Sequence, residues 1–278
     1  MWEASHMAHT LRLHLVQLAA GTDVKANLTR IRALLAAEPE ISGTAETADL
    51  IVLPESCLCF GSHAAVRGAA RSLAAWQQQL APLARKLRAV TVFGGVPVLR
   101  RTQVLNSSLV FGAAGELLAR YDKIHLFQLD PGQPGAVDET TLYAAGSSPV
   151  SFVLQGWKIG LTICYDLRFP ELFRAYAPAD LILCSAAFAR ETGVAHWQLL
   201  LRARAIENQC YIAGAGLCGR NPDTGFVCYG HSLVAGPWGE LVVQAGRRDE
   251  RVLTAELTRE RLAEVRRRLP ALAHRRLD

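Results

Sequence analysis

The chain has 278 residues, of which 50% are hydrophobic and 20% charged. That composition supports a substantial buried core and excludes intrinsic disorder. The net charge of +5 is modest, no stretch is apolar for long enough to cross a membrane, and the length suits one large domain or two small ones.

Met1 to Met7 lacks the apolar core of a signal peptide. Ser5-His6-Met7 fits a cloning remnant ahead of a start at Met7. Residues 1–10 are therefore read as an extension and 11–278 as one domain. Leu11–Leu18 begins by alternating apolar and polar residues and reads as a strand. Val24, Leu28, Ile31 and Leu35 then recur at helical spacing, with Thr22 or Asp23 as cap. A polar connector over Glu38–Ala48 leads to a strand ending at Pro54. Ala69, Leu73, Trp76, Leu80, Leu83 and Leu87 step by four and three, the clearest amphipathic helix in the chain; Trp76 is read as core. Strands are expected at Val90–Val96 and Val104–Phe111, with a short one before Lys123. Leu126–Ser148 is a long loop rich in Gly and Pro, a length that often carries function.

An apolar strand ends at Cys164, and Pro170 can start the next helix. A strand at Asp180–Ser185, a helix over about 193–208 and a strand at Cys210–Gly216 follow. Gly219–Tyr229 reads as a loop. Three more strands, His231–Ala235, Glu240–Gln244 and Arg251–Leu257, precede a helix from Thr258 to about Arg268, ended by Pro270. Strands alternate with helices and no linker interrupts them, so the expectation is one α/β domain with layered sheets covered by helices.

The seven cysteines are odd in number and form no Cys-x-x-Cys pair. Cys57-x-Cys59 alone is a weak metal signal, with no second ligand pair at the right spacing. A reducing, cytoplasmic setting fits this usage. The C-terminal arginines, such as Arg259, Arg261 and Arg266, raise the question of nucleic acid. Glu256, Glu260 and Glu264 interleave with them and aromatic residues are missing, which favours a solvated helix face or a subunit contact.

Three residues share a position type. Glu55, Lys123 and Cys164 each stand where a strand hands over to a loop, the place where α/β sheets gather chemistry. A carboxylate, an amine and a thiol that converge there make a base, an oxyanion stabiliser and a nucleophile. The backbone N–H of Tyr165 is a second oxyanion donor. Singly, each residue is ordinarily packing or surface; the signal lies in their joint occurrence.

Leu53-Pro54-Glu55, Tyr121-Asp122-Lys123-Ile124-His125-Leu126 and Ile163-Cys164-Tyr165-Asp166-Leu167-Arg168-Phe169-Pro170-Glu171 resemble the three catalytic motifs of the nitrilase superfamily of carbon–nitrogen hydrolases. Ala195-His196-Trp197, Arg202–Tyr211, Gly230-His231-Ser232 and Pro237-Trp238-Gly239 extend the resemblance over nearly the whole chain. It implies a four-layer α-β-β-α sandwich, a Glu-Lys-Cys triad, no cofactor or metal, and a homo-oligomer built from two-fold dimers. The surface around Cys164–Tyr176 is the expected contact. The resemblance also gives Glu139, in the loop after the Lys motif, the role of orienting Lys123 or the attacking water.

The local sequences are most similar to Nit-type amidases. Ala203–Tyr211 and Leu217-Cys218-Gly219-Arg220 resemble the deaminated glutathione amidase branch. The omega-amidase branch, which acts on α-ketoglutaramate, usually carries a Tyr after the Glu motif, and Ser56–Gly61 has none. Either substrate is a small anionic amide. Arg168 is the expected cation for its carboxylate unless it pairs with Asp166 or Glu171. Phe188 is placed on the acyl pocket or in the core, and Arg220 on a second carboxylate. His196 and His231 are read as structural, and Glu207 as the ion-pair partner of Arg204. The alternatives are a carbamoyl or nitrile hydrolase, a silent binding module, and a thiol redox sensor, for which no resolving cysteine is apparent.

Overall fold

A computed structural model describes residues 8–38, 41, 47–130 and 137–277. The expected remnant at Ser5-His6-Met7 lies outside the described residues. The ordered fold starts earlier than Leu11. Ala8 is buried, and its carbonyl accepts a hydrogen bond from Trp157 Nε1 at 3.2 Å.

The first half of the chain builds one sheet. Its strands are β1 (Thr10–Gln17), β2 (Thr47–Leu53), the two-residue β3 (Arg71–Ser72), β4 (Val90–Arg100), β5 (Gln103–Phe111) and β6 (Leu117–Asp122). The second half builds another from β7 (Ser151–Leu154), β8 (Trp157–Ile163), β9 (Leu181–Ala186) and β10 (Tyr211–Gly216). A small hairpin, β11 (Cys218–Arg220) with β12 (Val227–Tyr229), stands apart. The second sheet is completed by β13 (Leu233–Ala235) and β14 (Leu241–Gln244), while β15 (Arg251–Thr258) returns to the first and pairs with β1.

Each sheet has three parallel strands at its centre flanked by antiparallel strands, and the two-residue β3 adds a short parallel pairing to β4. In the first the central three are β1, β2 and β4; in the second, β8, β9 and β10. Parallel strands are buried on both faces, and their sequences are accordingly apolar throughout, as in Leu50-Ile51-Val52-Leu53 and Leu181-Ile182-Leu183-Cys184.

Side-chain alternation sorts these strands into two cores. Leu11, Leu13, Leu15, Leu50 and Val52 point to the second sheet, where Ile159, Leu161, Leu181 and Leu183 meet them. Ile51, Leu53, Phe93 and Val98 point the other way, onto helices α1 (Val24–Ala36) and α3 (Leu73–Leu87). Trp197, Leu201 and Ala205 of the long helix α5 (Arg190–Asn208) cover the far side of the second sheet. The order is helix, sheet, sheet, helix: the α-β-β-α sandwich.

Helix starts follow local chemistry. Asp23 Oδ1 accepts the amide hydrogens of Lys25 and Ala26 at 2.8 and 3.0 Å, so Asp23 rather than Thr22 caps α1. The helix expected from Ala69 is two. Ala69 ends α2 (His63–Ala69), and the chain extends through Ala70 and β3 before Ser72 caps α3. The apolar period ran through this break because both helices lean on the same core. Pro170 opens α4 (Pro170–Ala175), and α6 (Arg259–Arg268) starts on its cap Thr258. The segment read as a loop at 219–229 contains the β11–β12 hairpin, and β7 was not anticipated; both are short.

Three of the C-terminal arginines are tied down by acids. Arg266 and Arg259 pair with Asp180, and Arg261 with Glu240 and Glu264. Among the described residues no helix is long and apolar enough to cross a membrane, and no cluster could hold a metal ion. Trp76 is fully buried and donates its Nε1 hydrogen to Pro97 O at 2.9 Å. Trp76→Ala should therefore lower stability by about 3–5 kcal/mol, seen as a lower urea midpoint at unchanged slope.

Candidate active site

The structure brings Glu55, Lys123, Glu139 and Cys164 to one pocket of about 240 Å³, between the carboxyl ends of the two parallel strand sets. Glu55 follows β2, Lys123 follows β6 and Cys164 follows β8. Glu139 comes from a 3-10 turn, Glu139–Thr141, in the long loop.

Two small residues let the sheets approach here. A Cβ on Gly94 would lie 2.1 Å from Ser185 Cβ, and Ser185 Oγ donates to Leu53 O at 2.8 Å, bonding one sheet to the other. A Cβ on Gly95 would lie 2.5 Å from Glu55 Cγ, and its φ of +65° is one that glycine adopts without cost.

The Lys123 ammonium is 1% exposed and sits between two carboxylates. It donates to Glu55 Oε1 at 2.9 Å, and to Glu139 Oε1 and Oε2 at 2.9 and 2.8 Å. Glu55 is held by two further donors, Asn106 Nδ2 on Oε1 and the Ala187 amide on Oε2, both at 2.9 Å. The amide of Phe127 donates to Glu139 Oε2 at 2.6 Å. Burial opposes the ammonium, yet Glu139 and Glu55 hold the Lys123 pKa well above its ordinary value. Burial raises the pKa of Glu139, helped by Glu55 and opposed by Lys123.

Cys164 is half-buried and starts a 3-10 turn, Cys164–Arg168, with φ +49°. That left-handed conformation is strained for a residue with a Cβ, and such strain collects at functional positions. It aims the thiol at the space beside Glu55 and Lys123. Tyr165 is in the first turn, where amide hydrogens have no partner inside the helix. Burial and the Glu55 carboxylate push the Cys164 thiol well above its ordinary pKa, with Lys123 opposing. Cys164 is thus a neutral thiol beside a carboxylate.

Residues that the sequence does not single out hold this geometry. Asp166 is fully buried and accepts from Tyr121 Oη at 2.7 Å, the Ile163 amide at 2.9 Å and the His125 amide at 3.1 Å. The His125 ring lies on it as well, Nδ1 at 2.8 Å. One carboxylate thus joins the Lys123 loop to the Cys164 turn. From the other side, Arg204 of α5 donates through Nε and Nη2 to Leu167 O. Asp166, Tyr121 and His125 stand inside the quoted motifs, and a buried acid among hydrogen-bond donors was the available signal. Asn106 and Gly94-Gly95 carried no signal in one sequence.

Arg168 lines the pocket and makes no ion pair with Asp166 or Glu171; Asp166 is occupied as above. Its guanidinium lies over the Tyr165 and Phe188 rings, 5.8 and 5.5 Å from their centroids, with Nη1 3.3 Å from His196 Nδ1. Phe188 serves both expected purposes: it lines the pocket and packs on Trp197 in the core. Arg220 is elsewhere. It is exposed, donates to Gly225 O and lines a different cavity. Thr224 and Phe226 of the same hairpin reach the pocket instead. Glu207 does pair with Arg204 at 3.0 Å, but it is partly exposed rather than buried. His196 touches Arg168, whereas the His231 carbonyl accepts from Trp197 Nε1.

The carbon-nitrogen hydrolase profile matches residues 12–267. The chain belongs to the carbon-nitrogen hydrolase family. It is 35% identical to mouse omega-amidase NIT2 over 276 residues, 97% of this chain and 96% of that protein. It is also 35% identical to the deaminated glutathione amidase of Yersinia enterocolitica, over 94% of this chain and 92% of that one. The crystal structure of yeast Nit3, a member of the nitrilase superfamily, superposes with a TM-score of 0.83 at 30% identity, covering 99% of each chain. The hydrolase is thus similar along its whole length to enzymes that cleave linear amides.

A neutral resting thiol has a spectroscopic consequence. The 240 nm thiolate absorbance of the hydrolase, less that of Cys164→Ser, should stay flat from about pH 6 to about pH 8 and rise only above the ordinary thiol range of roughly 8–9. Backbone crowding has a kinetic one. Gly95→Ala should stay folded yet lose about 10²-fold in kcat/KM, because its Cβ displaces Glu55; circular dichroism and an ammonia-release assay separate the two effects.

Proposed function

We propose that this hydrolase cleaves the side-chain amide of an α-keto acid into a carboxylic acid and an amine, ammonia where the amide is primary, through a thioester on Cys164. The observation that carries the proposal is Lys123 clamped between Glu55 and Glu139 at the base of a pocket that Cys164 lines. Sγ attacks the amide carbon as its proton passes to Glu55. The developing oxyanion is met by the Lys123 ammonium and the Tyr165 amide. Collapse of the tetrahedral species expels the amine, ammonia from a primary amide or the Cys-Gly dipeptide from deaminated glutathione, which takes the proton back from Glu55. Water, deprotonated by Glu55, then attacks the thioester, and the acid leaves as the Cys164 thiol is restored. Glu139 holds Lys123 in line through both steps and needs no direct contact with substrate.

Arg168 supports the α-keto acid head. It is a cation on an apolar wall with no carboxylate partner among the described residues, and a substrate carboxylate completes it. Deaminated glutathione is the first substrate reading, on the likeness of Ala203–Tyr211 and Leu217–Arg220 to that branch. The second is α-ketoglutaramate. Arg220, the cation expected to hold the peptide tail, lies outside the pocket, which favours a short substrate with one anionic head. We place the enzyme in the cytoplasm on its seven free thiols.

We also propose a homo-oligomer. Leu167, Leu172, Phe173 and Tyr176 are buried within the chain, so the segment around Cys164–Tyr176 offers less apolar surface than expected. Exposed apolar side chains stand instead on α5, at Val194 and Leu199, each 67% exposed, and Ile206, 51% exposed. Light scattering at micromolar protein should give a multiple of 30.3 kDa; a monomer refutes the assembly.

Cys164→Ala should abolish hydrolysis of both keto amides, read as ammonia from α-ketoglutaramate and as the free dipeptide amine from deaminated glutathione, while the fold persists. Glu55→Gln and Lys123→Met should each cost at least ~10²-fold in kcat, and the double variant little more, because the residues act as a unit. Kinetics with deaminated glutathione, α-ketoglutaramate, a carbamoyl amino acid and a nitrile decide the substrate. Arg168→Ala should raise KM for both keto amides. Turnover of none of the amides would refute the reading.

A further inference from the structure

A second cavity, of about 450 Å³, shares no lining residue with the Cys164 pocket. Its walls come from three separate places. Arg190 is the first residue of α5, Arg220, Val227 and Cys228 belong to the β11–β12 hairpin, and Arg247 and Arg248 stand in the loop between β14 and β15. Four of the lining residues are arginines and none is acidic.

Like charges gathered around one cavity repel each other, and folded chains ordinarily relieve this with carboxylates. This chain does so elsewhere, pairing Arg30 with Glu250 and Arg266 with Asp180. None of the four arginines here makes an ion pair among the described residues. Arg220 donates to Gly225 O at 2.8 Å and retains further donors. Arg190 stands at the positive end of a 19-residue helix, a place that disfavours a cation.

The backbone that presents these side chains is firmly held. Ala189 bridges to Cys228, and the Tyr229 amide donates to Phe188 O at 2.9 Å. Gly230 approaches so closely that a Cβ there would lie 2.3 Å from Arg247 O. The α5 start, the hairpin and the β14–β15 loop therefore stay together whatever the arginines do, and four arginines line a space in which none has an ion-pair partner among the described residues.

We propose that this cavity binds a small multivalent oxyanion, of the phosphate-ester or polycarboxylate class. Planar guanidinium forks grip such oxygens two at a time, and several negative charges on one ligand offset several arginines at once. The site lies across the hairpin from the reaction. Thr224 and Phe226 line the Cys164 pocket while Val227 and Cys228 line this one. It is therefore independent of the amide that Cys164 cleaves, and it stands whether or not the proposed substrate is right.

The test is isothermal titration calorimetry of the full chain with sodium pyrophosphate and with citrate, at ionic strength held constant with sodium chloride. Wild type should bind at least one of them at one ion per chain. Arg190→Gln and Arg247→Gln should each weaken that binding about tenfold, the scale of one lost charge-assisted contact. Arg168→Gln, in the Cys164 pocket, should leave it unchanged. Thermal melts without anion should show both cavity variants at least as stable as wild type, since each removes a repelling charge. If either is destabilised, the exposed Arg248→Gln supplies the same readout. The tighter ion tells phosphate from carboxylate chemistry. No binding beyond the effect of sodium chloride overturns the proposal. So does binding lost in Arg168→Gln and retained in the cavity variants.

Discussion

A buried ammonium between two carboxylates governs the architecture around the site. An unpaired charge at the depth of Lys123 would cost several kcal/mol in desolvation, so its neighbours are not optional. Glu55 and Glu139 meet it within 2.9 Å, and each is in turn held by backbone or amide donors. Those donors belong to β5, to the start of the long loop and to the end of β9. Fixing one charge thereby fixes the relation of both sheets and the loop. Burial, with the Glu55 carboxylate beside it, holds the Cys164 thiol well above its ordinary pKa.

Bringing the sheets close enough for that group requires small residues. Gly94 against Ser185 sets the approach, and a hydroxyl bond to Leu53 O closes it. The Cys164 turn is then clamped from two directions, by Asp166 reaching to the Lys123 loop and by Arg204 reaching from α5 to Leu167 O. The left-handed backbone at Cys164 is tolerated because these clamps leave it no alternative.

Much of this was legible in advance where the period of the chain is strong. The apolar parallel strands and the helices over Val24–Ala36 and Leu73–Leu87 fell close to their expected spans, because burial on one or both faces writes a regular pattern. Glu55, Lys123 and Cys164 were legible because each ends such a strand inside a distinctive local sequence. The errors have a common cause. The break between α2 and α3 was hidden by a shared core, and β7, β11 and β12 are too short to show a period. Arg220 was assigned to the pocket from its place in the chain alone, yet neighbours in a hairpin can line different cavities. Thr224 and Phe226 reach the pocket from the same hairpin.

By itself, then, the amino-acid sequence determined the layered α/β class and the strand ends that carry a carboxylate, an amine and a thiol. These are local properties, readable from spacing and residue type within a dozen positions. Only the tertiary structure decided which charges face one another. Lys123 and Glu55 are 68 residues apart, and Asp166 meets Tyr121 across 45. It also decided that Arg168 lies against aromatic rings and makes no ion pair among the described residues, and that four arginines from three segments surround one cavity. Contacts of this kind depend on how the two sheets stack and how loops close over them, and the periodicity of a single strand or helix carries no record of that.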